Sequence, residues 1–521
     1  MALWFVSGFV MMYAGYTTQI DEDLRLERMP LLAAEHGWIS VEQAARAAGL
    51  GHEEVREVRL HRHLDDPVWD LRGPGGRWIT VSARSGFRVA PVSPAEAVTL
   101  AYRYHPGGDI PVAEKGDRSP KTRTLDVADV WTLSGTHAPA FPVYRVDLGD
   151  DAGTSVYISR QSGDVVNVHD RAARILAFAG AVIHYLYLPQ LRRNPGSTGL
   201  WKWVVVALSA LGVVVCASGI WIGILYLRSP AAIKAMPHLP WSPYRGWMKW
   251  HHYTGLVFGL VSFTWVLSGM LSVNPGYTPN SGPTESPAVR LAGGPLLSSP
   301  ALDPAKAIAA LVTLAPSFEL RELELRRMGD RSYWLAKGDA RGTRLIIPPA
   351  VARQVEGGAL LLSAVGDGER SGGAEPLVLE RFSDSDMETA LRQAVDARLL
   401  EKRWVREQET YYSSRTDPRP LPVLLGRFAD ARETWVYLDP ATGSVASVSD
   451  RIGRWHRWGY SFLHGFDLPW LLHRRPLRDS LMILSLAGGT ALSLIGIWVS
   501  ILWLGKKPRS WKKRVSPSVN G

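Results

Sequence analysis

Only one cysteine, Cys216, occurs in the 521 residues, and it lies in an apolar run, so no disulfide framework and no cysteine-based zinc site can be built. Acidic residues are missing from long stretches. All 49 Asp and Glu fall between Asp21 and Asp170 or between Glu285 and Asp479, which leaves the excess of 59 Lys and Arg largely to the other segments. Segregated charge of this kind marks a membrane protein rather than a nucleic-acid binder. There is no nucleophile elbow, P-loop or zinc motif. A 46% hydrophobic content with 35 Pro and 49 Gly also excludes collagenous, low-complexity and disordered classes.

Three long apolar runs are present. Residues 203–227, 250–273 and 480–504 carry no formal charge, and each exceeds the roughly 20 residues needed to cross a bilayer core. The connection 228–249 contains Arg228, Lys234, Arg245 and Lys249 with no acid, and the tail after Gly505 reads KKPRSWKKR; both are expected on the cytoplasmic side. Residues 2–15 are apolar but short. Alone they read equally as a signal peptide or a span.

An internal repeat decides for a span. Residues 157–171 (YISRQSGDVVNVHDR) match 437–451 (YLDPATGSVASVSDR) at an offset of 280, which also pairs His184 with His464 and Pro189 with Pro469. After a three-residue slip, Gly219-Ile220-Trp221 pairs with Gly496-Ile497-Trp498, and WFVSG (4–8) pairs with WVLSG (265–269). The predicted fold is an α-helical membrane protein. It has four transmembrane helices in two parallel repeats and two periplasmic α+β domains, with a pseudo-twofold axis along the membrane normal.

The expected order is a first span at 1–18, an outer domain at 19–170, an interfacial helix at 171–198, a span at 200–228, a cytoplasmic loop at 229–249 and a span at 250–273. An outer domain at 274–450, an interfacial helix at 451–476, a span at 478–504 and a cytoplasmic tail at 505–521 complete it. The counterpart of His251 would fall ahead of Met1, so the first span is expected to be truncated. In the outer domains, helices are predicted over 39–49, opened by Ser40, and from Asp303-Pro304 through Leu311. Strand-like runs occupy 76–83 and 86–90. Each domain ends in a hairpin turning at Gly163 or Gly443.

Ionisable groups in or beside a membrane are costly, which singles out His184, His464, His251 and His252. The pseudo-twofold axis would oppose His184 and His464 as two imidazoles, a geometry suited to bis-His ligation of haem iron. Interfacial anchoring is the other reading of the same pair. A partner for His251 would make a similar pair at the cytoplasmic side, so that two haems could form an electron path. Arg192-Arg193 and Arg474-Arg475 follow the Pro turns, where they would meet haem propionates or lipid headgroups. His456 has no repeat partner and is assigned to local packing.

The stretch RWHRWGYSFLHGFDLPWLLHRRPLRD (454–479), the YLDPATGSV hairpin, Tyr411-Tyr412 and HHYTGLVFGLVSFTWVLSG (251–269) together resemble the PepSY-associated transmembrane family. That resemblance implies PepSY-like outer domains and an inner-membrane protein with both termini cytoplasmic, similar to ferric-siderophore reductases that carry haem b. By it, His251 (ahead of Gly255), His184 and His464 are the haem-iron ligands. Electrons would run from a quinol or cytoplasmic reductant to a ferric siderophore or similar chelate. Two haems are implied, or one where the truncated first span removes a cytoplasmic-side ligand unless His252 compensates. A non-catalytic PepSY-type regulator that binds peptides or inhibits a protease is the alternative. A permease is disfavoured, because no span carries a buried carboxylate or a discontinuity.

Overall fold

The computed structural model describes residues 1–16, 22–35, 37–105, 119–133, 135–192, 195–236, 238, 240–273, 286–338, 342–348, 376–413, 419–472 and 474–505. Three helices, Pro195–Leu225, Gly246–Ser272 and Arg475–Leu504, are long and apolar enough to cross a membrane. The middle one packs against both others. Small residues allow the approach: Gly259 faces Ile220, and Gly488 receives the ring of Phe258. The N-terminal helix Ala2–Met11 has 10 residues. It rises only about 15 Å, half of a hydrocarbon core of about 30 Å. Among the described residues there are thus three span-length helices and a half-length one, where four spans were expected.

The two segments outside these helices follow a similar order of elements, the second with one strand more. The first runs Val41–Ala47, β1 (Glu57–His63), β2 (Asp66–Arg72), β3 (Trp78–Ser82), Pro94–Arg103, then β4 (Lys121–Leu125), β5 (Val143–Asp147), β6 (Ser155–Ser159) and β7 (Val165–His169). The second runs Pro304–Leu314, β8 (Glu322–Met328), β9 (Arg331–Lys337), β10 (Thr343–Ile347), β11 (Leu377–Leu379), Asp384–Gln393, then β12 (Leu399–Val405), β13 (Val423–Phe428), β14 (Trp435–Asp439) and β15 (Ser444–Ser449). Strands β4–β7 and β12–β15 form two four-stranded meanders.

The remaining strands do not stay apart. β1 pairs antiparallel with β8, Val58 opposite Leu325 and His61 opposite Glu322, which fuses both segments into one sheet of order β11-β10-β9-β8-β1-β2-β3. The expectation of two separate outer modules is corrected by this pairing. Its cause is alternation along the strands. Val58, Leu60, Leu323 and Leu325 bury one face against the helices at Ala44, Ala45, Ile308 and Leu311, with Trp69 and Trp334 at 6.0 Å in the same core.

The opposite face carries charge. Arg59 binds Asp70 (2.8 Å) and Asp164, His61 Nε2 meets Asp70 (2.9 Å), Arg25 binds Glu322 (3.0 Å), and Lys337 bridges Glu322 (3.1 Å) and Glu324 (2.9 Å). Burial alone would raise the carboxyl of Glu322, but Arg25, Lys337 and Arg59 together hold it well below the usual range. Burial likewise opposes the charge of Lys337, and Glu322, Glu324 and Glu22 outweigh it, so its pKa rises.

Local signals behave as expected at several points. Ser40 and Gln43 form a reciprocal capping box, and Asp303 accepts from the Lys306 N–H. Gly163 and Gly443 turn their hairpins with positive φ, and a side chain there would collide with His63 of β1 or with Tyr333 of β9 and Phe382 beyond β11. Residues 86–90 form no strand, only a bridge from Arg88 to Val81.

The charged joint generates a pH prediction. Glu322, with a depressed pKa, contributes stability that is present above the unfolded carboxyl value of about 4.3 and lost on acidification; Lys337 contributes below about 10.4 and loses it on alkalinisation. In unfolding followed by Trp fluorescence, the contribution of this joint to the midpoint should therefore be constant between about pH 5 and pH 10 and be lost below about pH 4. Glu322→Gln, which leaves Arg25 and Lys337 facing an amide, should lower stability by about 3 kcal/mol at neutral pH and blunt the acid limb. A variant as stable as the parent would contradict this account.

Candidate functional site

Two matching segments carry His184 and His464. Asp170 caps Arg171–Ala177 by accepting from the Ala173 N–H, and Asp450 caps Arg451–His456 through Gly453. Each helix then widens into a π-helical stretch, Phe178–Val182 or Arg457–Phe462. One last turn follows, Ile183–Tyr185 or Leu463–Gly465, ended by a non-glycine residue in the left-handed region, Leu186 (φ 53°) or Phe466 (φ 50°). Short π stretches and strained caps of this kind concentrate at functional sites.

The histidines are clasped alike from the neighbouring helices. Ser7 Oγ donates to the Trp4 carbonyl (3.1 Å) and Ser268 Oγ to the Trp265 carbonyl (3.0 Å). With their protons so placed, the two hydroxyl oxygens accept from Nδ1 of His184 (3.1 Å) and of His464 (3.0 Å). His464 Nδ1 also donates to the Trp265 carbonyl at 3.2 Å. The clasp assigns the proton to Nδ1 in both rings and leaves the lone pair on Nε2. Glycine follows each serine: a side chain at Gly8 or Gly269 would come within 3.7 or 3.6 Å of the imidazole Cε1. From the other side, Trp201 Nε1 donates to the Tyr185 carbonyl (2.8 Å) and Arg478 Nη2 to the Gly465 carbonyl (3.0 Å), the residue after histidine in each case.

The two rings come together, 5.9 Å between centroids with planes at 77°. They line a cavity of 560 Å³ with Trp4, Trp201, Trp265, Met1 and Met482. That size and mainly apolar lining suit a small organic ligand or cofactor. Two imidazoles each bound to one metal through Nε2 at about 2 Å would have centroids about 6 Å apart. Among the described residues no group of three or more His, Cys, Asp or Glu could hold a metal. Two imidazoles are an incomplete donor set for a bare ion and a sufficient one for an iron whose equatorial positions a porphyrin fills. The donor set and spacing fit a haem.

The other expected residues fall elsewhere. Both ring nitrogens of His252 are engaged, Nδ1 with Ser242 Oγ (2.8 Å) and Nε2 with the Gly223 carbonyl (2.7 Å), so it joins the span to its loop and does not stand in as a ligand. His251 lies against Gly496 of the last span. It precedes Ser268 on the same helix by 17 residues, about 25 Å along the axis. Arg192 stacks between Tyr187 (4.2 Å) and Trp201 (4.6 Å), both of which line the cavity. Arg193 lies outside the described residues. Arg474 and Arg475 are exposed and are not among the residues lining the cavity, Arg474 lying over Trp470 at 5.9 Å; Arg478, buried one turn further on, donates to the Gly465 carbonyl.

Sequence reasoning had the clasp in hand without its chemistry. The WFVSG and WVLSG matches served only to count spans, although their serines are the imidazole partners. Trp201 and Arg478 occupy equivalent places, and their different chemistry hides the correspondence. No protein-family model matches the chain, and no curated protein matches it.

The N-terminal helix forms one wall of the cavity, and its seat can be tested. Phe5 lies over Gly489, where a side chain would come within 2.6 Å of the ring, and Met1 Sδ lies 3.9 Å from Cys216 Sγ. Gly489→Val should displace this helix at a cost of about 2 kcal/mol. Maleimide labelling of Cys216, the sole cysteine, should accelerate several-fold. Unchanged labelling would mean that the helix is not held by this contact.

Proposed function

We propose that the chain is a haem-bearing membrane oxidoreductase that passes electrons to a ferric siderophore or similar ferric chelate on the side of its outer assembly. The observation that carries this reading is the clasped pair, His184 and His464, with both Nδ1 atoms committed and their rings 5.9 Å apart in a mainly apolar cavity. His184 and His464 would hold the iron of one haem b through Nε2, and the haem supplies one-electron redox chemistry. Ser7 and Ser268 fix ring orientation and tautomer. Arg192, its guanidinium over the cavity-lining rings of Tyr187 and Trp201, would meet a propionate by charge-assisted hydrogen bonds.

The similar order of elements and the equivalent clasps support a chain built of two parallel repeats, with Ala2–Met11 at the place of a fourth span. Resemblance to the PepSY-associated transmembrane family at 251–269 and 454–479 supports the same assignment and a bacterial inner-membrane location, with the outer assembly periplasmic. Quinol or a cytoplasmic reductant would supply electrons. Loss of charge from ferric to ferrous iron weakens binding by hard oxygen ligands, which is how reduction would release the metal. His184 and His464 account for one haem, and His251, set against Gly496, is the candidate ligand of a second.

A reduced-minus-oxidised visible spectrum of detergent-purified protein, with haem quantified per chain, tests the reading. The protein as isolated should carry at least about one haem per chain, held by the clasped pair, and about two where His251 also ligates. His184→Ala and His464→Ala should each abolish the low-spin band, whereas His252→Ala should retain it. Ser268→Ala should keep haem yet shift its midpoint potential, because the axial imidazole loses a partner that sets its basicity. No haem in protein made with ample haem supply would overturn the proposal and favour the PepSY-type regulator.

A further inference from the structure

A second cavity lies far from the histidine pair in sequence, between residues 289 and 393. It measures 910 Å³ and is bounded by helix Pro287–Ala292, the β8–β9 turn and helix Asp384–Gln393. Its construction is specific. Gly293 ends the first helix with φ 69° and lies so close to the turn that a side chain would meet the Gly329 carbonyl oxygen at 2.4 Å, while the Gly329 N–H donates to the Leu291 carbonyl at 2.8 Å. The turn is therefore locked on to the end of the helix, which fixes the positions of the side chains on both.

Those side chains are basic. Arg290, Arg327, Arg331 and Arg392 line the cavity against two acids, Asp330 and Asp386. Asp386 is turned inward, buried and bonded to Ser383 at the start of its helix, and Asp330 is exposed and lies 3.8 Å from Arg331. Arg327 is oriented by donating to the Ala292 carbonyl (2.9 Å) and to Ser299. Behind the guanidinium groups the wall is apolar and aromatic, with Tyr333 and Phe382 edge to face at 5.1 Å.

We propose that this cleft binds the ferric chelate, and that the chelate is a polycarboxylate of net negative charge rather than a neutral or cationic hydroxamate. Converging guanidinium groups match carboxylates with paired hydrogen bonds, which a cationic chelate would not satisfy. The cavity is far larger than a single phosphate and lies within the range of small-molecule sites. Placement agrees. Helix Pro287–Ala292 rests on β15, the strand that leads through Asp450 into the segment bearing His464. The redox fate of the ligand rests on the haem reading above; its binding does not.

Gallium(III) citrate, redox-inert and of similar charge and shape to ferric citrate, separates the two. Titrated into full-length detergent-solubilised protein, it should bind and weaken as salt rises, whereas a cationic gallium trihydroxamate should not bind. The double variant Arg331→Glu/Arg392→Glu alters half-exposed and exposed side chains. It should weaken gallium citrate by at least about tenfold, some 1.4 kcal/mol, with its haem spectrum equal to that of the parent. The inference is overturned by absence of gallium citrate binding at millimolar concentration, by equal affinity in the double variant, or by equal affinity for the trihydroxamate or for metal-free citrate. Loss of the haem reading alone would leave gallium binding intact.

Discussion

An imidazole beside a bilayer needs a partner for its N–H, and the way this protein meets that need organises everything around it. The partner is a serine hydroxyl on the neighbouring helix, itself turned by the carbonyl of the tryptophan three residues before it. One hydrogen-bonded unit thereby fixes ring tautomer, orients the ring and ties an interfacial segment to a membrane helix. Two such units, facing one another across 5.9 Å, define the cavity. Unpaired polar groups are expensive in this environment, so the clasp is also a registration device for the segments it joins.

The outer assembly answers a different constraint. Three strands (β1–β3) and four strands (β8–β11), each an antiparallel set, leave an edge open, and β1 and β8 close those edges on one another. Their alternation sends Val58, Leu60, Leu323 and Leu325 to a shared apolar core and sends Arg59, His61, Glu322 and Glu324 to the other face. The resulting charged layer is nearly dry, so its members are stable only as a set. Arg25, on the helix Glu22–Arg28, joins this set through Glu322. The segment that follows the N-terminal helix is therefore anchored to the joint between β1 and β8.

Much of this was legible in the sequence, and the gaps have physical causes. Long uncharged runs, the caps Ser40 and Asp303, and the turns at Gly163 and Gly443 are local signals that the structure bears out. β1 and β2 escaped notice because polar and charged residues such as Arg59, His61 and Asp70 interrupt their apolar pattern, and those residues make sense only once β8 lies alongside. The offset of 280 placed His184 and His464 as equivalents, and the structure brings them together. It could not show that Trp201 and Arg478 perform one task with different chemistry, since both act on a backbone carbonyl, which any sufficiently long donor can reach. Arg474 and Arg475 were attractive as a pair because they follow the proline turn, yet the helix begins at Arg475 and carries the inward direction to Arg478.

The differences between the halves show which features the shared cavity requires. Where the second half has Asp467 lining the cavity and paired with Arg457 at 3.1 Å, the first has Tyr187 and Ala177 at the equivalent positions, with Tyr187 stacked under Arg192. Trp4 donates its indole N–H to the His184 carbonyl, whereas the indole nitrogen of Trp265 is buried with no hydrogen-bond partner among the described residues. Polar decoration around the rim has thus diverged in both charge and geometry. The serine, the glycine after it, the π-helical stretch and the left-handed stop have not. A duplicated anchor needs only one hydrogen bond to persist and places no demand on the opposite ring. Under the proposed function, a pair that presents two Nε2 lone pairs to one iron constrains tautomer, approach distance and backbone path on both sides together, and those are the features the two halves share.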